Sequence, residues 1–147
     1  MADNPGIKDE RKVFRRQTLP GAMPGTIRTD PEAPHPVIRI MAWSDAELVE
    51  ERVPDVSLLK EFVDKWPMAW VNVDGLGDDV ILKKVGETFN IHKLALEDIV
   101  NVHQRSKVED YNHHLFVVAR MINFEGERLE TEQLSLFLGE GFLVTCQ

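Results

Sequence analysis

The stretch LFVVARMINFEGERLETEQLSLFLGEGFLVTCQ, Leu115–Gln147, decides the fold. It contains three runs, Leu115 to Phe124, Leu129 to Leu138 and Phe142 to Gln147, that are apolar or alternate at the two-residue period of a β-strand. Gly126 separates the first run from the second, and Gly139 and Gly141 separate the second from the third. Links this short join antiparallel neighbours, so the stretch predicts a three-strand meander.

Toward the N-terminus the period changes. Leu94 to about Val102 reads as a helix, as does the segment from Asp78 to Asn90, whose Val80, Ile81, Leu82, Val85 and Phe89 supply a buried face. Gly86 inside that helix costs about 1 kcal/mol relative to alanine, which points to close packing there. Asp55 is placed to cap a helix running to Lys65. Met68 to Val73 reads as a strand closed by the Asp74-Gly75 turn, and Val37 to Met41 as another strand. Ser44-Asp-Ala-Glu47 has the form of a capping box and predicts a short helix to about Glu51. Strands and helices in this order predict an α/β domain, a mixed β-sheet flanked by helices, over residues 37–147. Residues 1–36 are Pro- and Gly-rich and carry little apolar surface, so they predict a flexible leader with at most a short strand near Thr26 to Arg28. The chain ends while still reading as a strand, as a piece of a longer polypeptide would.

Twenty-five acidic against 17 Lys and Arg side chains give a net charge of −8, the wrong sign for a nucleic-acid-binding face. The lone cysteine, Cys146, excludes an intrachain disulfide and suits a reducing compartment. No apolar run approaches the roughly 20 residues of a spanning helix. The expectation is a soluble, cytoplasmic chain. No HExxH or CxxC spacing exists, Gly75-Leu-Gly77 reads as a turn, and no nucleophile and base can be paired, so no enzyme is expected. Cys146 reads as a small core residue, and Trp43, Trp66 and Trp70 read as core or interface anchors. The imidazoles of His113 and His114 diverge if both lie on a strand.

The densest polar stretch is LALEDIVNVHQRSKVEDY, Leu94–Tyr111. Adjacent helical side chains lie about 100° apart, so Glu97 and Asp98 do not converge on one ion. With Leu94, Leu96, Ile99 and Val100 as the apolar stripe, at least one carboxylate faces solvent or an interface. Such a pair is ordinarily a solvated face. Alternatively, each carboxylate is one arm of a site for a hard cation such as Mg²⁺ or Ca²⁺, completed from another surface, with Asn101 and Gln104 as further oxygens. His103 would instead suit a transition metal.

Several runs resemble the CorA family of magnesium and cobalt channels. They are WVNVDGL at Trp70–Leu76, VGETFNIHKLALEDIVNVHQRSKVEDY at Val85–Tyr111, LFVVARM at Leu115–Met121, EQLSLFLGEGFLVTCQ at Glu132–Gln147, and LPGAMPGT at Leu19–Thr26. The resemblance implies the N-terminal cytoplasmic domain of such a channel, an α/β/α sandwich assembled as a homopentamer. The membrane would be reached only through a stalk and two helices absent from this sequence, with a Gly-Met-Asn pore motif. It also implies that Asp98 and Glu97 contribute metal half-sites between subunits, where Mg²⁺ (or Co²⁺) acts as regulatory ligand as well as transported ion and favours closure. Ser106 and Lys93 depart from the family, many members of which carry proline at both positions. A ZntB-like zinc transporter shares the architecture, and a free-standing cation-binding or interaction domain is the alternative from another class.

Overall fold

The computed structural model describes residues 21, 23–126 and 128–147. Its frame is one seven-stranded mixed sheet. The strands are β1 (Val37–Trp43), β2 (Leu48–Val53), β3 (Met68–Asp74), β4 (Lys107–Asp110), β5 (His114–Glu125), β6 (Arg128–Gly139) and β7 (Phe142–Cys146). Across the sheet they run β2-β1-β3-β7-β6-β5-β4. The expected meander is β5-β6-β7, antiparallel throughout. β7 returns beside β3 in parallel, from Ala69↔Phe142 to Val73↔Cys146, and so joins the two antiparallel halves.

The helices are α1 (Leu59–Lys65), α2 (Asp79–Thr88) and α3 (Lys93–Val100). Asp55 accepts from the Ser57 N–H and opens a short 3-10 turn, Val56–Leu58, ahead of α1. Asp78 caps α2 by accepting from the N–H groups of Val80 and Ile81. Asn90, at φ 51°, ends the segment in the left-handed region that asparagine tolerates. Leu82, Val85, Leu96 and Ile99 then join one apolar cluster with Ile40, Val71, Val73, Phe116, Val118, Phe137 and Val144 on the inward face of the sheet. Full burial of such side chains stabilises by roughly 1.5–3 kcal/mol each, which holds two short helices that would melt alone. Cys146 belongs to this cluster, and burial pushes its thiol up to about 12.

One expectation fails. The Ser44 hydroxyl does accept from the N–H groups of Ala46 and Glu47, as in a capping box. The Ser44 N–H, however, donates to the Glu47 carbonyl at 2.9 Å and closes a hairpin. The following residues form β2 on the free edge of β1, where six residue pairs from Ile38↔Val53 to Trp43↔Leu48 satisfy the backbone. Leu48-Val-Glu-Glu-Arg-Val53 has no helical stripe to compete with that ladder. Thr26 to Arg28 forms no strand. Instead, Ile27 is buried in the core cluster, and the Pro34 carbonyl accepts from the Gly77 N–H at 2.8 Å. The flexibility expected of residues 1–20 lies outside the described residues.

Gly86 marks the approach of α2 to α3. A methyl group there would collide with Leu96 Cδ1. Gly86→Ala is expected to destabilise by about 1–3 kcal/mol in urea unfolding, and Leu96→Val in the same chain to recover part of that loss.

His114 is buried with no hydrogen-bond partner at Nε2. It stacks on Tyr111 at 5.5 Å and meets Phe137 edge-on at 5.8 Å. Burial, then the neighbouring His113 and His92, outweigh Asp110 and hold its pKa below the usual 6.5. The unfolded chain therefore takes up the proton first. Stability is complete above the unfolded value and is lost as pH falls through the folded one. Denaturation midpoints measured between about pH 7.5 and about pH 5 should show this slope, and His114→Phe should flatten it.

Candidate functional site

The site is built around α3. His92 caps the helix, its Nδ1 accepting from the Leu94 N–H at 3.3 Å. Lys93 is thus the first helical residue, a position where proline also fits, which accounts for the tolerated departure there. The buried stripe is Ala95, Leu96, Glu97, Ile99 and Val100. Leu94, expected in that stripe, is 43% exposed, and Glu97 takes a buried place at 9%.

Glu97 is buried because the leader covers it. The Gly25 N–H donates to Glu97 Oε2 at 2.8 Å. Gly25 stands at φ +82°, and a Cβ there would come within 2.9 Å of Lys93 Cβ. Glycine is therefore needed twice over, for the backbone angle and for the close passage across the first turn of α3. The carboxylate compensates an N–H that the crossing removes from water.

Asp98 turns to a different partner, as the 100° step allows. Its Oδ2 lies 2.6 Å from Lys107 Nζ on β4, and the same ammonium lies 2.8 Å from Glu109 Oε1. The Tyr111 hydroxyl donates to Glu109 Oε2 at 3.1 Å. The register Lys107↔Val118 and Glu109↔Phe116 places both side chains on the inward face, beneath α3. Burial disfavours the Lys107 charge, but the hydrogen bonds and charges of Asp98 and Glu109 win and hold its pKa above 10.5. The hydrogen bond from Lys107 chiefly holds Glu109 below 4.5. Counted formally, the cluster holds two carboxylates and one ammonium, a net charge of −1.

The end of α3 is clamped by amides. Asn101, buried, donates through Nδ2 to the Glu97 carbonyl at 3.0 Å. Gln133 on β6, 3% exposed, donates to the Asp98 carbonyl at 3.0 Å and accepts from the Gln104 N–H at 3.0 Å. Arg120 donates to the carbonyls of Val102 and Gln104 at 3.0 Å each. Asn101 therefore serves the helix end, and Gln104 is held through its backbone. Gln133, Lys107, Glu109 and Gly25 were not singled out by sequence reasoning. The Lys107-Val-Glu109 alternation is the signal that would have put both charges on one face.

Among the described residues, no three His, Cys, Asp or Glu side chains converge to hold a metal. His103 and the His113-His114 pair join no such group. The donor chemistry nevertheless fits a hard divalent cation at Asp98 as one arm of a site. Its carboxylate oxygens are of the right kind, its side chain is 22% exposed, and a cationic group already sits on it. Glu97 fits less well, because the leader's N–H occupies Oε2.

Glu97→Ala is expected to release the leader, so that trypsin cuts at the exposed Arg28 several-fold faster under native conditions. Glu97→Gln keeps an acceptor oxygen and should stay close to the wild-type rate.

A family model described as CorA-like Mg²⁺ transporter protein matches residues 67–147. The cobalt/magnesium transport protein CorA of Thermotoga maritima is 35% identical over 147 residues, covering 95% of this chain and 40% of the relative. The solved soluble domain of CorA from Methanocaldococcus jannaschii matches with a TM-score of 0.55 at 18% identity, over 74% of this chain and 39% of that one. The complete CorA magnesium transporter of the same organism gives 0.55 at 15% identity, over 74% and 31%. At those identities the structural likeness carries the fold alone, a mixed sheet with helices packed on it. The chain spans less than half the length of each of these relatives. With residues 67–147 matched by the family model and a 35%-identical relative along nearly all its length, this chain belongs to the CorA family.

Proposed function

We propose that this chain is the cytosolic regulatory domain of a Mg²⁺/Co²⁺ transporter of the CorA type. In this reading it catalyses no reaction. It senses intracellular Mg²⁺ at contacts between neighbouring subunits of a homopentamer, and the bound ion favours the closed state. Asp98 is the principal ligand and Glu97 the lesser one. The membrane-crossing part lies in other segments of the transporter. No helix among the described residues is long and apolar enough to cross a membrane.

The observation that carries this reading is the divergence of the two carboxylates from one turn of α3. Asp98 belongs to a cluster that keeps a net negative charge after its own lysine is counted, and its side chain stays 22% exposed. One carboxylate is too few ligands for Mg²⁺, which takes six and commonly retains several waters. A second subunit that supplies oxygens completes the shell, so the ion joins two surfaces only when they are close. A ligand that binds one arrangement better shifts the population toward it by its differential affinity.

The test is the Mg²⁺ inhibition of current through the assembled transporter. Asp98→Asn should raise the half-inhibiting Mg²⁺ concentration by about tenfold or more, with Glu97→Gln giving a smaller shift and the double variant the largest. Unaltered inhibition in the double variant overturns the assignment.

A further inference from the structure

We infer that Lys107 is a built-in counter-cation of Asp98, seated on the carboxylate that the proposed Mg²⁺ uses and so raising the concentration at which that site fills. This inference rests on the reading of Asp98 given above and deepens it by naming what sets its affinity.

Lys107 Nζ stands 2.6 Å from Asp98 Oδ2 and 2.8 Å from Glu109 Oε1. It is not a loose surface lysine. Its side chain is 27% exposed, and Nζ lies 5.4 Å from the centre of the Phe116 ring. β4 fixes the root of the side chain through the pair Lys107↔Val118. Tyr111 fixes Glu109, and is itself stacked between His92 and His114 at 5.3 and 5.5 Å. The ammonium is thus held at Asp98 by the fold.

A Mg²⁺ ion bound to the same carboxylate sits about 2.0–2.1 Å from its oxygen. Ammonium and dication then face each other across one small anion, and their repulsion opposes binding even in a solvent-like dielectric. Glu109 offers the way out. Because Lys107 already touches it, the ammonium can leave Asp98 and keep one partner. Ion binding therefore exchanges a cation at Asp98 without stripping Lys107 of both partners. The competition is strong enough to set a threshold and weak enough to be reversed.

The test is a calorimetric Mg²⁺ titration of the assembled, full-length transporter in detergent, compared across four variants. Lys107→Met should lower the Mg²⁺ midpoint by roughly tenfold. Lys107→Arg keeps the charge and should stay near wild type. Arg105→Gln removes an exposed positive charge close by in sequence and should shift the midpoint far less than Lys107→Met. Asp98→Asn should raise the midpoint that Lys107→Met lowers, by about tenfold or more. A Lys107→Met midpoint that is unchanged or higher, with Asp98→Asn still raising the midpoint, overturns the counter-cation role and leaves Asp98 as a ligand. An equal shift from Arg105→Gln also overturns it, by showing a general field instead of a seated competitor. If Asp98→Asn leaves the titration intact, Asp98 is not a ligand and both readings fall. A melting curve without Mg²⁺ separates misfolding from altered binding, since Lys107→Arg should melt as wild type does.

Discussion

The parallel ladder between β3 and β7 is the constraint on which everything else hangs. Five residue pairs, Ala69↔Phe142 to Val73↔Cys146, fuse a three-strand antiparallel half to a four-strand one. Parallel neighbours cannot be joined by a tight turn. The chain between them must leave the sheet and return, and here it leaves through α2 and α3 and comes back by way of β4, β5 and β6. That path lays α3 on the inward face, above β4 to β6. Were β7 to pair antiparallel elsewhere, no element would hold α3 over Lys107 and Gln133.

The consequence for the site is that two adjacent residues serve two different parts of the molecule. Glu97 reaches the leader at Gly25, and Asp98 reaches β4 at Lys107. Each carboxylate is compensated locally, which a half-buried acidic pair requires. A carboxylate drawn out of water without a partner costs free energy. Glu97 accepts from the backbone N–H of Gly25, and Asp98 is charge-balanced in part by the Lys107 ammonium.

Much of the fold was legible in the sequence because its helices and meander depend on short-range patterns. Asp55 and Asp78 cap where their spacing says they should, Asn90 stops α2, and Gly86 marks a close helix contact. The capping-box pattern at Ser44 misled because a capping box and a hairpin turn use the same serine-to-N–H bonds. What decides between them is whether a strand edge waits nearby, and β1 supplies one. The burial of Glu97 was hidden for a similar reason. The stripe at Leu94, Leu96, Ile99 and Val100 follows from apolarity alone, whereas the leader, 72 residues away in sequence, buries an acid and leaves Leu94 open.

The candidate site was only half legible, and the reason is geometric. Glu97 and Asp98 sit on a helix whose period fixes their divergence without further information. Lys107 and Glu109 sit on a four-residue strand, and a strand shows which residues share a face but not which face is inward. That choice is made by β5. Phe116 and Val118 are fully buried, and the register Glu109↔Phe116 and Lys107↔Val118 obliges the two charges to point the same way. Charges are tolerated there because each finds its opposite, and Tyr111 closes the set through Glu109. The polar cluster under α3 is thus a by-product of core packing on β5. The apolar residues chose the face, and the ions had to pair on it.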